Sequence, residues 1–461
     1  MSTFSAAELT DAYRDQITDP VDATMRHLDA AHAASEAFNA YAYIDPAGAL
    51  AAARASAQRW EAGTPLGPLD GVPISFKDSF HIRGLPRWHG TAISTGPRSS
   101  YDCAPVRRAR EAGMVIIGKT TMPDYAMLMS GQSSQHGVIT NPWDQASNPA
   151  GSSSGAGPSV VSGSALVALG TDMVGSVRLP AAVCGLPSVK PTQGRIAYDP
   201  AGSYRSAGPM ARSVGDVEAA LSVFGREDRA DHLCLPGCFV PADDADAHEW
   251  VSGCRVGVIT QVAFGTAMDG PTAQALATSV EILAAAGASI EYISELPVGR
   301  PDFEAVYWHM IYRGMADYLA HSAAERGRIL PIVGEMLDAP SQQSAVFATE
   351  TIIRMEAATA RLRAALDGFD LIISPVLPVR SFGIDELSSD PDDPMAHMGF
   401  ACWFNNLGMP AGTVPIHDPG DGGVPVSVQV VGTRFADAQV LAVMKFLESQ
   451  RGFAVDYPGV L

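Results

Sequence analysis

Between Ser147 and Thr192 the chain reads SNPAGSSSGAGPSVVSGSALVALGTDMVGSVRLPAAVCGLPSVKPT. Two Gly/Ser loops, Gly151–Gly157 and Gly170–Ser176, bracket a run of small apolar residues. A Gly/Ser loop on its own reads as a turn or linker. Here the segment between the loops is apolar enough to be buried, so a solvated linker is excluded. Glycine lets each loop approach other chain closely while presenting serine. A packed element with a serine-bearing loop at each end suits hydrolytic chemistry: one hydroxyl attacks, another relays protons, and free amides hold the developing charge.

The rest of the chain narrows the setting. Its 461 residues suffice for a large core, and 47% are hydrophobic. The net charge of −19 argues against a nucleic-acid partner, which needs a basic surface. The opening MSTFSAAELTDAYRD is polar and helix-like rather than a secretory signal, and no apolar run reaches membrane-spanning length. Together with six scattered cysteines, this leads us to expect free thiols in a reducing cytoplasm and no membrane association. Cys234, Cys238 and His232 are too few ligands for a tetrahedral metal site, so no metal or cofactor is expected.

Taken in order, Glu8–Gly63 has the periodicity of helices and LDGVPISFKDSF that of a short buried strand, Val72–Phe76, ending at Lys77. A lysine beside Asp78 is ordinarily a surface ion pair. At the mouth of a buried strand it is instead desolvated, which lowers its pKa and makes it a usable base. Two decoys fail on context. GMVIIGKT (Gly113–Thr120) matches a phosphate loop, but Met-Val-Ile-Ile is strand-forming and Pro123 follows where a helix interior is required. GSSSG (Gly151–Gly155) matches a nucleophile elbow at Ser153, but turn chemistry, not a strand, precedes it. Ser164–Leu169 is expected to be a buried helix. In GTDMVGSVR the amides of Met173, Val174, Gly175 and Ser176 form a candidate oxyanion hole, stiffened by an Asp172–Arg178 pair. Further on, Arg255–Ile259, Thr272–Ala286 and Ser289–Ile293 read as β–α–β, implying parallel strands with helical crossovers. Phe303–Ala324 and Gln342–Leu366 read as helices, Leu371–Ser374 and Val426–Val431 as strands, and Ala436–Gln450 as a closing helix.

These residues together resemble the amidase signature family. The similarity runs from the ALAAARASAQ helix to PVSVQVVG, through GVPISFKD, GSSSG, GTDMVGSVRLPAAVCG, VKPTQGRI, GPMARSV, SPVLP and FNNLGMPAG. The resemblance implies an α/β fold in which a large, twisted, mixed and mostly parallel sheet is covered by helices on both faces. It implies one amidase domain over 1–461, with a helical segment to about residue 65 and the signature core at about 69–220. It further implies a Ser–cis-Ser–Lys triad: Ser176 as nucleophile, Ser152 as relay, 24 positions earlier, and Lys77 as base. Ser153, Asp172 and Arg178 fall at supporting positions. The implied reaction is hydrolysis of a small-molecule amide through an acyl-serine, and many relatives are homodimers. An amidotransferase subunit supplying ammonia and an inactive binding subunit are the alternatives; intact Lys77, Ser152 and Ser176 weigh against the second. Ala150, Ser154 and Val174 stand where the family commonly has glycine, and Val174 is expected to narrow the pocket. Candidate substrate contacts are Tyr125, Met129, Ser130 and Gly131, Tyr204 with Arg205, and Trp308 and Tyr312 on the aromatic helix, for which core packing is the competing expectation.

Overall fold

In this computed structural model, residues 4–93, 96–242, 247–263 and 265–459 are described. The strands in chain order are β1 (Tyr41–Ile44), β2 (Pro73–Lys77), β3 (Val115–Thr120), β4 (Gln132–Ser133), β5 (Gly137–Val138), β6 (Val167–Asp172) and β7 (Ser188–Lys190). They continue with β8 (Ser206–Ala211), β9 (Arg255–Ile259), β10 (Ser289–Ile293), β11 (Leu371–Pro375), β12 (Ala411–His417) and β13 (Val426–Gly432). β4 and β5 form a separate ribbon; the others build one 11-stranded sheet in the order β1-β3-β2-β6-β8-β7-β12-β13-β11-β9-β10.

The sheet is mixed and carries helices on both faces. Parallel pairing occupies two blocks, β3-β2-β6 and β11-β9-β10. The second contains the β–α–β unit read from Arg255–Ile293, with the helix Gly270–Ala285 as its crossover. Between the blocks, and at β1, pairing is antiparallel. Parallel character therefore belongs to the blocks with helical crossovers rather than to every neighbouring pair. Alternating side chains of one strand feed two cores: Val167 and Leu169 enter one, Ala168 the other. The first core lies under helices such as Val214–Phe224, Gly270–Ala285 and Asp437–Gln450. The second lies under Ala156–Val161, Arg178–Val183 and Arg300–Leu319.

Three local expectations change. Ser164–Leu169 is not a helix: the helix is Ala156–Val161, and Val167–Asp172 is a fully buried strand paired with β2 and β8. A strand buried on both faces shows no alternation, so small apolar residues there fit either period. The helical region Glu8–Gly63 is interrupted by β1, after Asn39 ends the helix Pro20–Phe38 in the left-handed region at φ 55°. The aromatic helix stops at Leu319 rather than Ala324. GMVIIGKT is strand β3. Among the described residues no helix is long and apolar enough to cross a membrane, and no three His, Cys, Asp or Glu side chains converge as a metal site requires.

Candidate active site

Lys77 is the last residue of β2, between β3 and β6, and is fully buried. Its Nζ donates to Ser152 Oγ (2.9 Å) and Thr171 Oγ1 (3.0 Å). Burial pushes its pKa down to about 7, with the negative charge of Asp172 opposing. The neighbouring Asp78 does not pair with it. Successive side chains at a strand end point apart, and Asp78 instead meets the buried Lys119 at 2.8 Å while accepting from the amides of Trp88 and Gly90.

The first serine loop brings Ser152 to this amine. The Gly151–Ser152 peptide is cis. Close packing explains two of the glycines: a Cβ at Gly151 would lie 2.8 Å from the Leu128 carbonyl, and one at Gly155 2.3 Å from that of Ala40. Ala150 takes φ 55°, a conformation suited to glycine, while its amide donates to Asn148 Oδ1 at 3.0 Å. Ser154 uses its hydroxyl to bind the Ser130 carbonyl at 3.2 Å, tying the loop to the Tyr125–Gly131 segment. Ser153 laces the two loops together. Its amide donates to the Ser176 carbonyl (3.2 Å), and its hydroxyl donates to Thr171 O (3.4 Å) and accepts from Thr171 N (3.3 Å). Ser153 is fully buried and outside the cavity wall, and among the described residues no strand runs into its loop as a nucleophile elbow requires.

The second loop is held from inside. Asp172 Oδ1 accepts from the Gly175 amide (2.9 Å) and Oδ2 from that of Val177 (3.1 Å). The Gly175 amide is thus engaged. Met173, Val174 and Ser176 are the candidate oxyanion donors whose amides meet no intramolecular acceptor among the described residues. Arg178 pairs with Asp172 through Nε (3.0 Å) and Nη2 (2.9 Å), both residues being fully buried. Burial alone would raise the Asp172 pKa; the Arg178 guanidinium outweighs it and holds the carboxyl well below the usual range. Arg178 also reaches Gln429 Oε1 and Asn405 Oδ1, each at 2.6 Å, and the Ala401 carbonyl at 3.0 Å. Asn405 returns a bond to the Asp172 carbonyl at 3.0 Å. Thr171, Asn405 and Gln429 were not anticipated. Gln429 had a signal: with Ser427 it is one of two polar residues inside the otherwise apolar strand PVSVQVVG.

A cavity of about 120 Å³ opens over the loops, and Ser152, Ser176, Asp172, Met173 and Val174 line it. Ser176 Oγ there donates to Met129 Sδ at 3.4 Å. Lys77 lies behind Ser152, outside the wall. Tyr125 and Met129 line the cavity; Ser130 and Gly131 do not. Of the pair Tyr204–Arg205, Arg205 lines it, while the Tyr204 ring packs edge-on against His309, 5.4 Å away. Trp308 and Tyr312 are also absent from the wall. Their rings lie tilted against each other, 6.0 Å apart, and Trp308 meets Phe347 of the helix Ala345–Ala365 edge-on at 5.2 Å. Residues four apart share one helix face. The face of Arg300–Leu319 turned to the cavity carries Met310, Arg313, Gly314 and Asp317. Trp308 and Tyr312 are both half-buried, and their ring contacts are with each other and with the neighbouring helix rather than with the cavity. Ala126, Met127 and Thr171 also line the cavity, as do Ser79, His89 and Tyr198, which the sequence does not single out.

A buried lysine, two serine loops and unengaged amides thus gather at one small cavity or directly behind its wall, on a mixed α/β sheet. A family model described as Amidase matches residues 22–441, so the chain belongs to the amidase signature family. It is 32% identical to one subunit of the glutamyl-tRNA(Gln) amidotransferase of Acidothermus cellulolyticus, with 93% of this chain and 90% of that protein aligned. Native peptide amidase from Stenotrophomonas maltophilia superposes with a TM-score of 0.84 at 26% identity, covering 100% of this chain and 99% of that one. A structure of 6-aminohexanoate cyclic dimer hydrolase gives 0.86 at 24%, covering 99% of each, a likeness of fold alone.

Proposed function

We propose that the protein hydrolyses a small carboxylic amide through an acyl-enzyme on Ser176. The observation that carries the reading is the fully buried Lys77 amine, 2.9 Å from Ser152 Oγ and with its pKa down to about 7, beside a cavity that Ser152 and Ser176 share. Neutral Lys77 takes the Ser152 proton as Ser152 takes that of Ser176, and Ser176 Oγ bonds to the amide carbonyl carbon. This requires Ser176 to turn from Met129 towards Ser152, a tightening that catalytic hydrogen bonds commonly make on substrate binding. The oxyanion is held by free amides of the Met173–Ser176 turn. Proton return through Ser152 to the nitrogen lets the C–N bond break and the amine leave. Water, activated by the same relay, then attacks the acyl-serine, giving acid and restoring Ser176.

A fluorophosphonate probe, with the modified peptide located by mass spectrometry, tests this. Label on Ser176, absent from Ser176→Ala, is expected; label elsewhere or none contradicts it. A second reading, an ammonia-supplying subunit, is favoured by the names of the amidotransferase relatives. Amide hydrolysis by the purified chain without partners separates the two, since the subunit reading requires partners for turnover.

A further inference from the structure

The cavity wall also carries two cationic side chains. Arg205, just before β8, and Arg313, on the helix Arg300–Leu319, both line it. The Arg205 guanidinium lies 3.8 Å from the centroid of the Tyr198 ring and donates through Nη2 to the Pro200 carbonyl, which fixes its plane. Its Nε is buried without a hydrogen-bond partner. Among the described residues neither arginine takes an ion pair, although both border the same small space. Burial, and then the charge of Arg205, lower the pKa of Arg313, so the two guanidiniums oppose one another. Asp317 is on the wall one turn beyond Arg313, and its field acts on Tyr125. One carboxylate offsets at most one of two guanidiniums. Asp172 is already matched by Arg178, and Lys77 is largely neutral above pH 7. A net positive charge is left where a bound substrate would extend.

We propose that this end of the cavity binds a carboxylate, so that the preferred substrate is an acidic amide with its carbonyl at Ser176 and its anion between Arg205 and Arg313. The inference rests on the reading of this cavity as an amide site. Guanidinium offers paired donors matched to the two oxygens of a carboxylate, which Lys or a neutral amide side chain does not. A cavity of about 120 Å³ suits a short acyl chain. The two arginines would then set specificity without touching the reacting atoms.

The test is calorimetric binding to the Ser176→Ala chain, which removes turnover from the measurement. The probes are malonamate, succinamate and glutaramate, each against the neutral alkyl amide of matched length. We expect at least one acidic amide to bind about tenfold tighter than its neutral counterpart. That preference should vanish in Arg313→Gln and shrink in Arg205→Gln. Equal binding of every matched pair overturns the proposal, as does a preference that survives both substitutions. Ammonia release by the wild-type chain is measured separately. Acidic preference without ammonia release supports the arginine site while refuting the hydrolytic reading; ammonia release with no acidic preference does the reverse.

Discussion

At the scale of single residues, the site depends on an amine kept in a place where its charge is poorly solvated. Lys77 has two hydroxyl neighbours and no carboxylate in contact, so burial dominates its titration. Its folded pKa lies below its unfolded value, so the folded chain binds fewer protons between about pH 7 and the usual lysine range. The contribution of this group to stability therefore rises with pH across that window and is constant below it. Activity that needs the neutral amine rises through the same lower limit. Thr171 accepts from Nζ and so favours the charged form. Thr171→Val should therefore move the activity inflection to lower pH, by about one unit or less, as read from kcat/KM against pH. Movement upward would show that Thr171 serves the neutral form instead.

At the scale of elements, the two loops are stabilised in different ways. The second is built on a buried ion pair whose every oxygen is used. Arg178→Met would leave Asp172 charged and unpaired in the core, at a cost of about 3–5 kcal/mol, measurable as a lower denaturation midpoint. The stability that Asp172 contributes is present above the usual carboxylate pKa and is lost as pH falls below it. In the first loop, Ala150 at φ 55° is an L-residue in a left-handed conformation. Ala150→Gly should stabilise by about 0.5–1 kcal/mol, the relief of that strain exceeding the entropy glycine adds to the unfolded chain. An unchanged or lower melting temperature would count against this. The same two loops show what a sequence can carry. Asp172 and Arg178 were legible as a pair because opposite charges flank a Gly-bearing turn, six positions apart. Strand β6 was misread because its small residues, buried on both faces, carry no period. Trp308 and Tyr312 lie off the cavity wall, and the sequence does not show this, because the 3.6-residue repeat puts residues on a face without saying which face meets the cavity. Arg313 and Asp317 lie in that helix with no local pattern to distinguish them.

At the scale of the whole molecule, the sheet joins segments far apart in the chain into one site. Lys77 comes from β2 and Asp172 from β6, while Gln429 reaches Arg178 from β13, 251 positions later in the chain. Such contacts are invisible to local pattern and were accessible only through the family resemblance, which included the C-terminal motifs without their partners. We infer that the chain works as one unit, because strands from both ends share this sheet. The central claim is that Lys77 activates Ser176 through Ser152. It is tested most directly by the rate of fluorophosphonate labelling of Ser176 against pH, in the wild type and in Lys77→Met. The account predicts a wild-type rate that climbs about tenfold per pH unit below an inflection near 7 and levels off above it, with labelling in Lys77→Met slow and nearly independent of pH. A flat wild-type profile, or a Lys77→Met chain that labels as fast and with the same inflection, would contradict it.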